Sequence, residues 1–122
     1  MARLHEHQGK AILSAAGVPV PRGAVARTAD EAVAVARALG GPCVVKIQAW
    51  TTGRAAIGGV ALVDTPEAAG REAGRMLAMR VGNFPVSEVL VEERLAITRE
   101  LFVSIAIDDR ERRPMMLVSL SG

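Results

Sequence analysis

Aromatic side chains are almost missing from this sequence: Trp50, Phe84 and Phe102 are the full set, and tyrosine is absent. A chain so poor in rings offers no row of stacking platforms for single-stranded nucleic acid, and its core must come from Ala, Val, Leu, Ile and Met. Cysteine occurs once, at Cys43, so no disulfide can form within the chain, in agreement with a reducing compartment. Its setting, Pro42-Cys43-Val44-Val45, is that of a packed thiol rather than a nucleophile. No apolar run is long enough to cross a membrane. The opening Met1-Ala2-Arg3-Leu4-His5-Glu6 lacks the basic-then-apolar layout of a signal peptide, so the expectation is a cytoplasmic protein without a membrane partner.

What is present is ordinary for a globular chain. Half of the 122 residues are apolar and 23% are charged, enough for one domain and too little for two. The formal net charge is +2, and thirteen of the fifteen basic residues are Arg. These are scattered, with Arg110, Arg112 and Arg113 as the one local group. That pattern gives a mild preference for anions and no nucleic-acid stripe, so a basic nucleic-acid binder would rest on the pI alone.

Periodicity and punctuation mark out the elements. A helix is predicted from His5 to Ala16, closed by Gly17, and Val18-Pro19-Val20-Pro21 then leads into a short strand over Gly23 to Arg27. Thr28-Ala29-Asp30-Glu31 reads as a capping box for a helix ending at Leu39, before Gly40-Gly41. Cys43 to Gln48 reads as a strand, Trp50 to Gly59 as a loop and Val60 to Val63 as another strand. Thr65-Pro66-Glu67 opens a third helix reaching about Met79, weakened by Gly70 and Gly74. Strands follow at Val86 to Glu92, Arg99 to Ile107 and Met115 to Ser119, the last two joined by a polar turn, with Met115-Met116 as core filling. Helices interleaved with hairpins indicate an α+β layer fold, with helices packed on a mixed or antiparallel sheet. The final strand has nothing after it to cover its face, which points to an incomplete domain cut from something longer.

Lys46 is the most informative position. Alternation puts it on one strand face with Val44 and Gln48, and Val45 and Ile47 on the other. A lysine at the end of an apolar strand, before a glycine-bearing loop, can present an ammonium to nucleotide phosphates; it can equally be an edge-strand lysine that discourages aggregation. The loop Thr51-Thr52-Gly53-Arg54-Ala55-Ala56-Ile57-Gly58-Gly59 carries amides and hydroxyls suited to anions, but it is neither a Walker A loop nor a dinucleotide fingerprint. Glu92, Glu93 and Glu100 flank a joint between two strands, where carboxylates could accept from ribose hydroxyls or form a solvated corner with Arg94 and Arg99. His5 and His7, two residues apart, do not share a helical face, which argues against a metal site. No Ser/His/Asp set or paired-cysteine motif is visible, so no catalytic residue is assigned.

Taken together the segments resemble the β subunit of succinyl-CoA synthetase and the ADP-forming acid–CoA ligases. Leu4-His5-Glu6-His7-Gln8 is similar to the family's opening L-H-E-Y-Q, with His7 in place of the aromatic residue. Gly17-Val18-Pro19-Val20-Pro21 resembles G-x-P-x-P, and Val44-Val45-Lys46-Ile47-Gln48 resembles V-V-K-x-Q. Val89-Leu90-Val91-Glu92 with Arg99-Glu100-Leu101-Phe102 is similar to L-V-E…K-E-[LY]-Y, and Asp109-Arg110 to the D-R turn. The likeness is collinear from residue 3 to 122. It implies an ATP-grasp-like fold, with residues 1–122 as the N-terminal portion of the nucleotide-binding domain and the rest of that domain and the CoA-ligase domain absent. It further implies Lys46 on the phosphates, Gly53 and Arg54 in the phosphate loop, Glu92 at the adenine hinge and Glu100 on the nucleotide. The implied cofactors are ATP and Mg, with the metal ligands outside this chain. The implied partners are an α subunit whose histidine is phosphorylated, and CoA and a carboxylic acid, commonly succinate, in the full enzyme.

Departures from the family pattern are concentrated in the loop. Thr52 and Ala55 stand where the family has glycine, Ala56 where it has lysine, and Ser121 where it has a carboxylate. The first two narrow backbone freedom where amides approach phosphate, and the third removes a cation. A non-catalytic paralogue or truncated module, kept for nucleotide sensing or subunit assembly, is therefore the alternative to an enzyme part.

Overall fold

The computed structural model describes residues 3–121, in the order α1 (Glu6–Ala15), β1 (Gly23–Ala26), α2 (Ala29–Leu39), β2 (Cys43–Ile47), β3 (Val60–Val63), α3 (Pro66–Leu77), β4 (Arg80–Val81), β5 (Phe84–Pro85), β6 (Val89–Glu93), β7 (Phe102–Asp108) and β8 (Arg113–Ser119). The helix boundaries follow local chemistry. The Thr28 hydroxyl accepts from the Glu31 amide at 3.1 Å, and α2 ends on Gly40 at φ 74°. Thr65 accepts from the Ala68 amide in the same way, with Pro66 at the first position of α3. Gly17, at φ 82°, turns the chain out of α1 as expected.

Strands β1, β6, β2 and β3 form one sheet in that order, and every pairing is antiparallel. Strand alternation then gives the sheet two unlike faces. Cys43, Val45 and Ile47 of β2, Val89 and Val91 of β6 and Ala26 of β1 point to one side. There they join Ala32, Ala36, Ala69, Ala73 and Met76 of α2 and α3 in the buried core. Gly70 belongs to this packing: a Cβ there would lie 2.5 Å from Val33 Cγ2, so glycine is what lets α2 and α3 touch. Its cost to helix propensity is offset by the close helix contact. On the other side stand Val44, Lys46 and Gln48 of β2 and its extension, with Glu88, Leu90 and Glu92 across from them. Helix α1 contributes no buried residue.

The structure departs from sequence expectation in several places. The strand predicted from Val86 starts at Val89, and the one predicted from Arg99 starts at Phe102. Residues 94–101 are irregular and pair with no neighbouring strand among the described residues. A short hairpin, β4 with β5, closes around Gly82 and Asn83, between the third predicted helix and the strand predicted from Val86. Met115 and Met116 are exposed rather than core filling. They lie on the β7–β8 hairpin, whose strands pair only with each other among the described residues and which exposes Phe102, Val103, Ile105 and Ile107 as well. At its tip Asp108 Oδ1 accepts from the amides of Arg110 and Glu111.

Candidate functional site

The polar face of the sheet is where the chemistry-bearing residues meet. β2 has a neighbour on each side, β6 and β3, so Lys46 sits on an interior strand and the edge-strand reading of this lysine is overturned. Interior burial of an ammonium requires partners. Lys46 Nζ donates to Glu6 Oε1 of α1 at 3.1 Å and also bonds Glu92 of β6. Lys10, one turn along α1 from Glu6, donates to Glu6 Oε1 at 2.9 Å and to Glu92. The chain has two lysines, and both end on the same buried glutamate.

Arg54 closes the group from the loop. Its guanidinium donates to Glu6 Oε2 at 2.6 Å and to the Ile47 carbonyl at 3.1 Å. The loop is pinned to β2 by Ile47 N–H on the Gly59 carbonyl at 2.9 Å, and closed on itself by Gly59 N–H on the Arg54 carbonyl at 2.8 Å. Gly59 is needed there, since an added Cβ would stand 2.5 Å from Ile47 Cδ1 and 2.9 Å from the Arg54 carbonyl oxygen. Gly53, at φ 66°, turns the chain just before Arg54. Three cations against two carboxylates leave this cluster one positive charge in excess. Burial alone would raise the Glu6 carboxyl, but Lys10, Lys46 and Arg54 outweigh it and hold it down at about 2. Burial lowers the Lys10 ammonium and is outweighed by Glu92 and Glu6, so it titrates above its ordinary value.

Two open hollows adjoin the cluster. One, of about 570 Å³, is lined by Arg3, Glu6, Trp50, Thr51, Thr52 and Arg54. The other, of about 300 Å³, is reached by Lys10 and Glu92. Lys46 lies between them, one-fifth exposed, bridging the glutamate of each. Of the residues singled out from the sequence, Lys46, Gly53, Arg54 and Glu92 are thus gathered on one face. Glu92 is only 3% exposed and fully engaged by lysines, rather than open at a joint between strands. Glu100 is exposed in the 94–101 segment and does not join the cluster. The expected acidic corner with Arg94 and Arg99 does not form either: Glu93 takes Arg22 at 2.9 Å, and Arg94 takes Asp64 at 3.0 Å.

Sequence reasoning missed Glu6 and Lys10, whose signal was their four-residue spacing on a helix whose apolar residues, Ile12 and Leu13, stay exposed. It also misjudged His5 and His7. The premise that both lie on the helix fails, because His5 is the extended residue before it, at φ −72° and ψ 160°. His5 Nδ1 and His7 Nε2 meet Glu88 Oε1 at 2.9 and 2.8 Å, and Arg27 holds Glu88 Oε2 at 2.9 Å. Burial would raise the Glu88 carboxyl, and the two histidine hydrogen bonds reverse this and lower it.

The ATP-grasp domain profile matches residues 3–122. The chain is 40% identical over 120 residues to the β subunit of an ADP-forming succinate–CoA ligase from Haloarcula marismortui, and 42% identical to that from Chloroflexus aggregans. Each match takes in 98% of this chain and 31% of the relative, so the chain spans about a third of the length of the curated relatives it matches. Among solved structures, a Ca. Korarchaeum cryptofilum dinucleotide-forming acetyl-coenzyme A synthetase, in complex with coenzyme A and Ca-AMPCP, superposes with a TM-score of 0.85 at 27% identity. That match covers 98% of this chain and 54% of the other. A phosphoribosylamine–glycine ligase from Thermotoga maritima shares the fold, with a TM-score of 0.64 at 20% identity, over 93% of this chain and 27% of its own.

Proposed function

Because this chain belongs to the ATP-grasp domain family, we propose that its α1-side face is the phosphate-handling part of the nucleotide site of an ADP-forming acid–CoA ligase of the succinate type. The observation that carries this reading is Lys46 on an interior strand, joined through Glu6 to Arg54 of the glycine-bearing loop. A lysine kept inside a sheet must be held by carboxylates, and such an arrangement has no purpose as an edge guard. Its excess positive charge suits a nucleotide polyphosphate. The relatives, β subunits of ADP-forming succinate–CoA ligases, support the reaction class.

In this reading Lys46 and Arg54 bind and orient the phosphates, with amides around Gly53 and the hydroxyls of Thr51 and Thr52 beside them. Glu92 holds Lys46 in place from below as well as marking the hinge, and Glu100 reaches the nucleotide from the 94–101 segment. ATP supplies the phosphoryl group, which in the whole enzyme passes to a histidine of an α subunit before CoA captures the acyl group. Magnesium has no carboxylate to itself beside the loop among the described residues, since Glu6 and Glu92 are both held by cations; its ligands are assigned outside this chain. Residues 1–122 are the N-terminal portion of the domain, and the apolar β7–β8 hairpin is the surface on which the rest of it packs. The carboxylic acid, the α subunit and a cytoplasmic setting belong to the same proposal.

A second reading, a module that keeps the fold for nucleotide sensing or subunit assembly, is favoured by the altered loop residues Thr52, Ala55 and Ala56 and by every cation of the cluster already having a protein partner. Calorimetric titration of MgATP separates the two, using this chain and the full-length gene product, each with Lys46→Ala as control. Saturable binding that is lost in folded Lys46→Ala supports the phosphate site. A full-length protein that binds no nucleotide, or binds it equally well without Lys46, would sink it. Binding without CoA-dependent turnover in the full-length protein would select the non-catalytic reading.

A further inference from the structure

The His5–His7–Glu88 cluster lies on the polar face but takes no part in the phosphate-side network of Glu6, Lys10, Lys46, Arg54 and Glu92. Three ligand-type atoms, His5 Nδ1, His7 Nε2 and a carboxylate oxygen of Glu88, lie within 4.8 Å of one another. They come from two stretches of backbone far apart in the sequence: the start of α1, with His5 just before it and His7 in its first turn, and the segment entering β6. We propose that these residues form a binding site for a borderline divalent transition-metal ion, with zinc as the natural occupant of a two-nitrogen, one-carboxylate set.

The geometry sits close to what such an ion needs. Metal–nitrogen and metal–oxygen bonds of about 2.0–2.1 Å in a tetrahedron place neighbouring ligand atoms about 3.3 Å apart. The two histidine nitrogens stand at 2.9 and 2.8 Å from Glu88 Oε1, so each separation must open by only roughly half an ångström to admit the ion. In the hydrogen-bonded arrangement each facing nitrogen carries its proton and donates to the carboxylate. Metal binding moves that proton to the other nitrogen of the same ring: from Nδ1 to Nε2 on His5, and from Nε2 to Nδ1 on His7.

The surroundings supply the remaining requirements. Glu88 is fixed from its far oxygen by Arg27, which is largely exposed, so solvent screens its repulsion of the ion. Gln48 holds the other end of the site, its Oε1 accepting from the His7 amide at 3.2 Å. Trp50 lies against the His5 ring with centroids 5.0 Å apart, which limits the ring's rotation. A hollow of about 310 Å³, lined by His5, Gln48, Trp50 and Phe84, opens beside the cluster and gives water access to the fourth coordination position. Since α1 buries no residue of its own, the ion would clamp that helix to the sheet.

Zinc chloride titrated into this chain against a chromophoric chelator, with cobalt(II) absorption as the geometric readout, tests the site. One equivalent should bind, with the intense d–d bands of a low-coordinate cobalt ion. His7→Gln, a change at a partly exposed side chain, should weaken binding about tenfold or more, and His5→Gln and Glu88→Gln should do the same. Cys43→Ser and Lys46→Ala should leave it unchanged. Thermal unfolding should move upward with zinc in the native chain and stay put in His7→Gln, and a circular dichroism spectrum without metal checks that each variant folds. No saturable binding to the folded native chain would overturn the proposal. So would binding that survives His7→Gln, or that vanishes in Cys43→Ser.

Discussion

The two faces of the four-stranded sheet are held by opposite means. Under α2 and α3 the contacts are Ala, Val, Ile and Met, with the Cys43 thiol as the one weakly polar group, and the close approach of the helices depends on Gly70. Under α1 there is no buried helix residue at all, and the helix is attached by Glu6, Lys10, His5 and His7 to charged or polar partners on the sheet. Burying apolar area stabilises in proportion to area and tolerates little change in shape. A network of paired charges in a half-buried site adds little net stability, because desolvation offsets much of the attraction. One face therefore holds the fold, and the other keeps charges close together at little gain in stability, as a binding surface does.

Adjacent residues of β2 put that contrast to the hardest test. Ile47 points into the core and Lys46 away from it, so Ile47→Ala should cost about 2–4 kcal/mol in chemical denaturation. Lys46→Met should cost far less, because Lys10 still pairs with Glu92 and Arg54 with Glu6. Equal losses from the two substitutions would erase the distinction between the faces. Next in size, Gly70→Ala should destabilise by about 1–3 kcal/mol, since its new methyl group meets Val33 and α2 must shift.

Titration of Glu6 gives a third effect on the polar face alone. Its folded carboxyl is held at about 2 against an ordinary 4.5, so the folded state binds fewer protons than the unfolded one between these values. Stability from this group is fully present above pH 4.5 and is lost as pH falls towards 2. The acid limb of a stability–pH curve should flatten in Glu6→Gln; an unchanged slope would show that Glu6 is not held as described. The smallest effect has the opposite sign. Gly74 lies on α3 with only Ala29 Cβ near, at 3.8 Å, so Gly74→Ala should stabilise by about 0.5–1 kcal/mol, read from the same denaturation midpoints.

The apolar face was almost entirely legible in the sequence. Thr28, Thr65, Pro66 and Gly40 announce helix ends through local hydrogen bonding and backbone freedom, and alternation in Cys43–Ile47 gives the buried side. Lys46 could be placed on the correct face, but not on an interior strand, because strand order is set by pairings between residues far apart in the chain. The same limit hid Glu6 and Lys10, which look like an exposed helix pair until Glu92 is folded under them. His5 and His7 were misjudged because a shift of one residue in a helix start changes which side chains can converge. The strand read from Arg99 starts only at Phe102, because residues 99–101 have no partner strand and pattern alone cannot supply one.

On the proposed function, the α1 face, and not the α2/α3 face, handles the nucleotide phosphates. Two-dimensional amide NMR of the 122-residue chain during a MgATP titration addresses it directly. Saturable shifts should appear at Lys46, Thr52, Gly53 and Arg54 and along the first turns of α1, while Ala32, Ala36, Ala69 and Ala73 stay where they are. Shifts concentrated on α2 and α3, or an unchanged spectrum for both this chain and the full-length protein, would contradict the account.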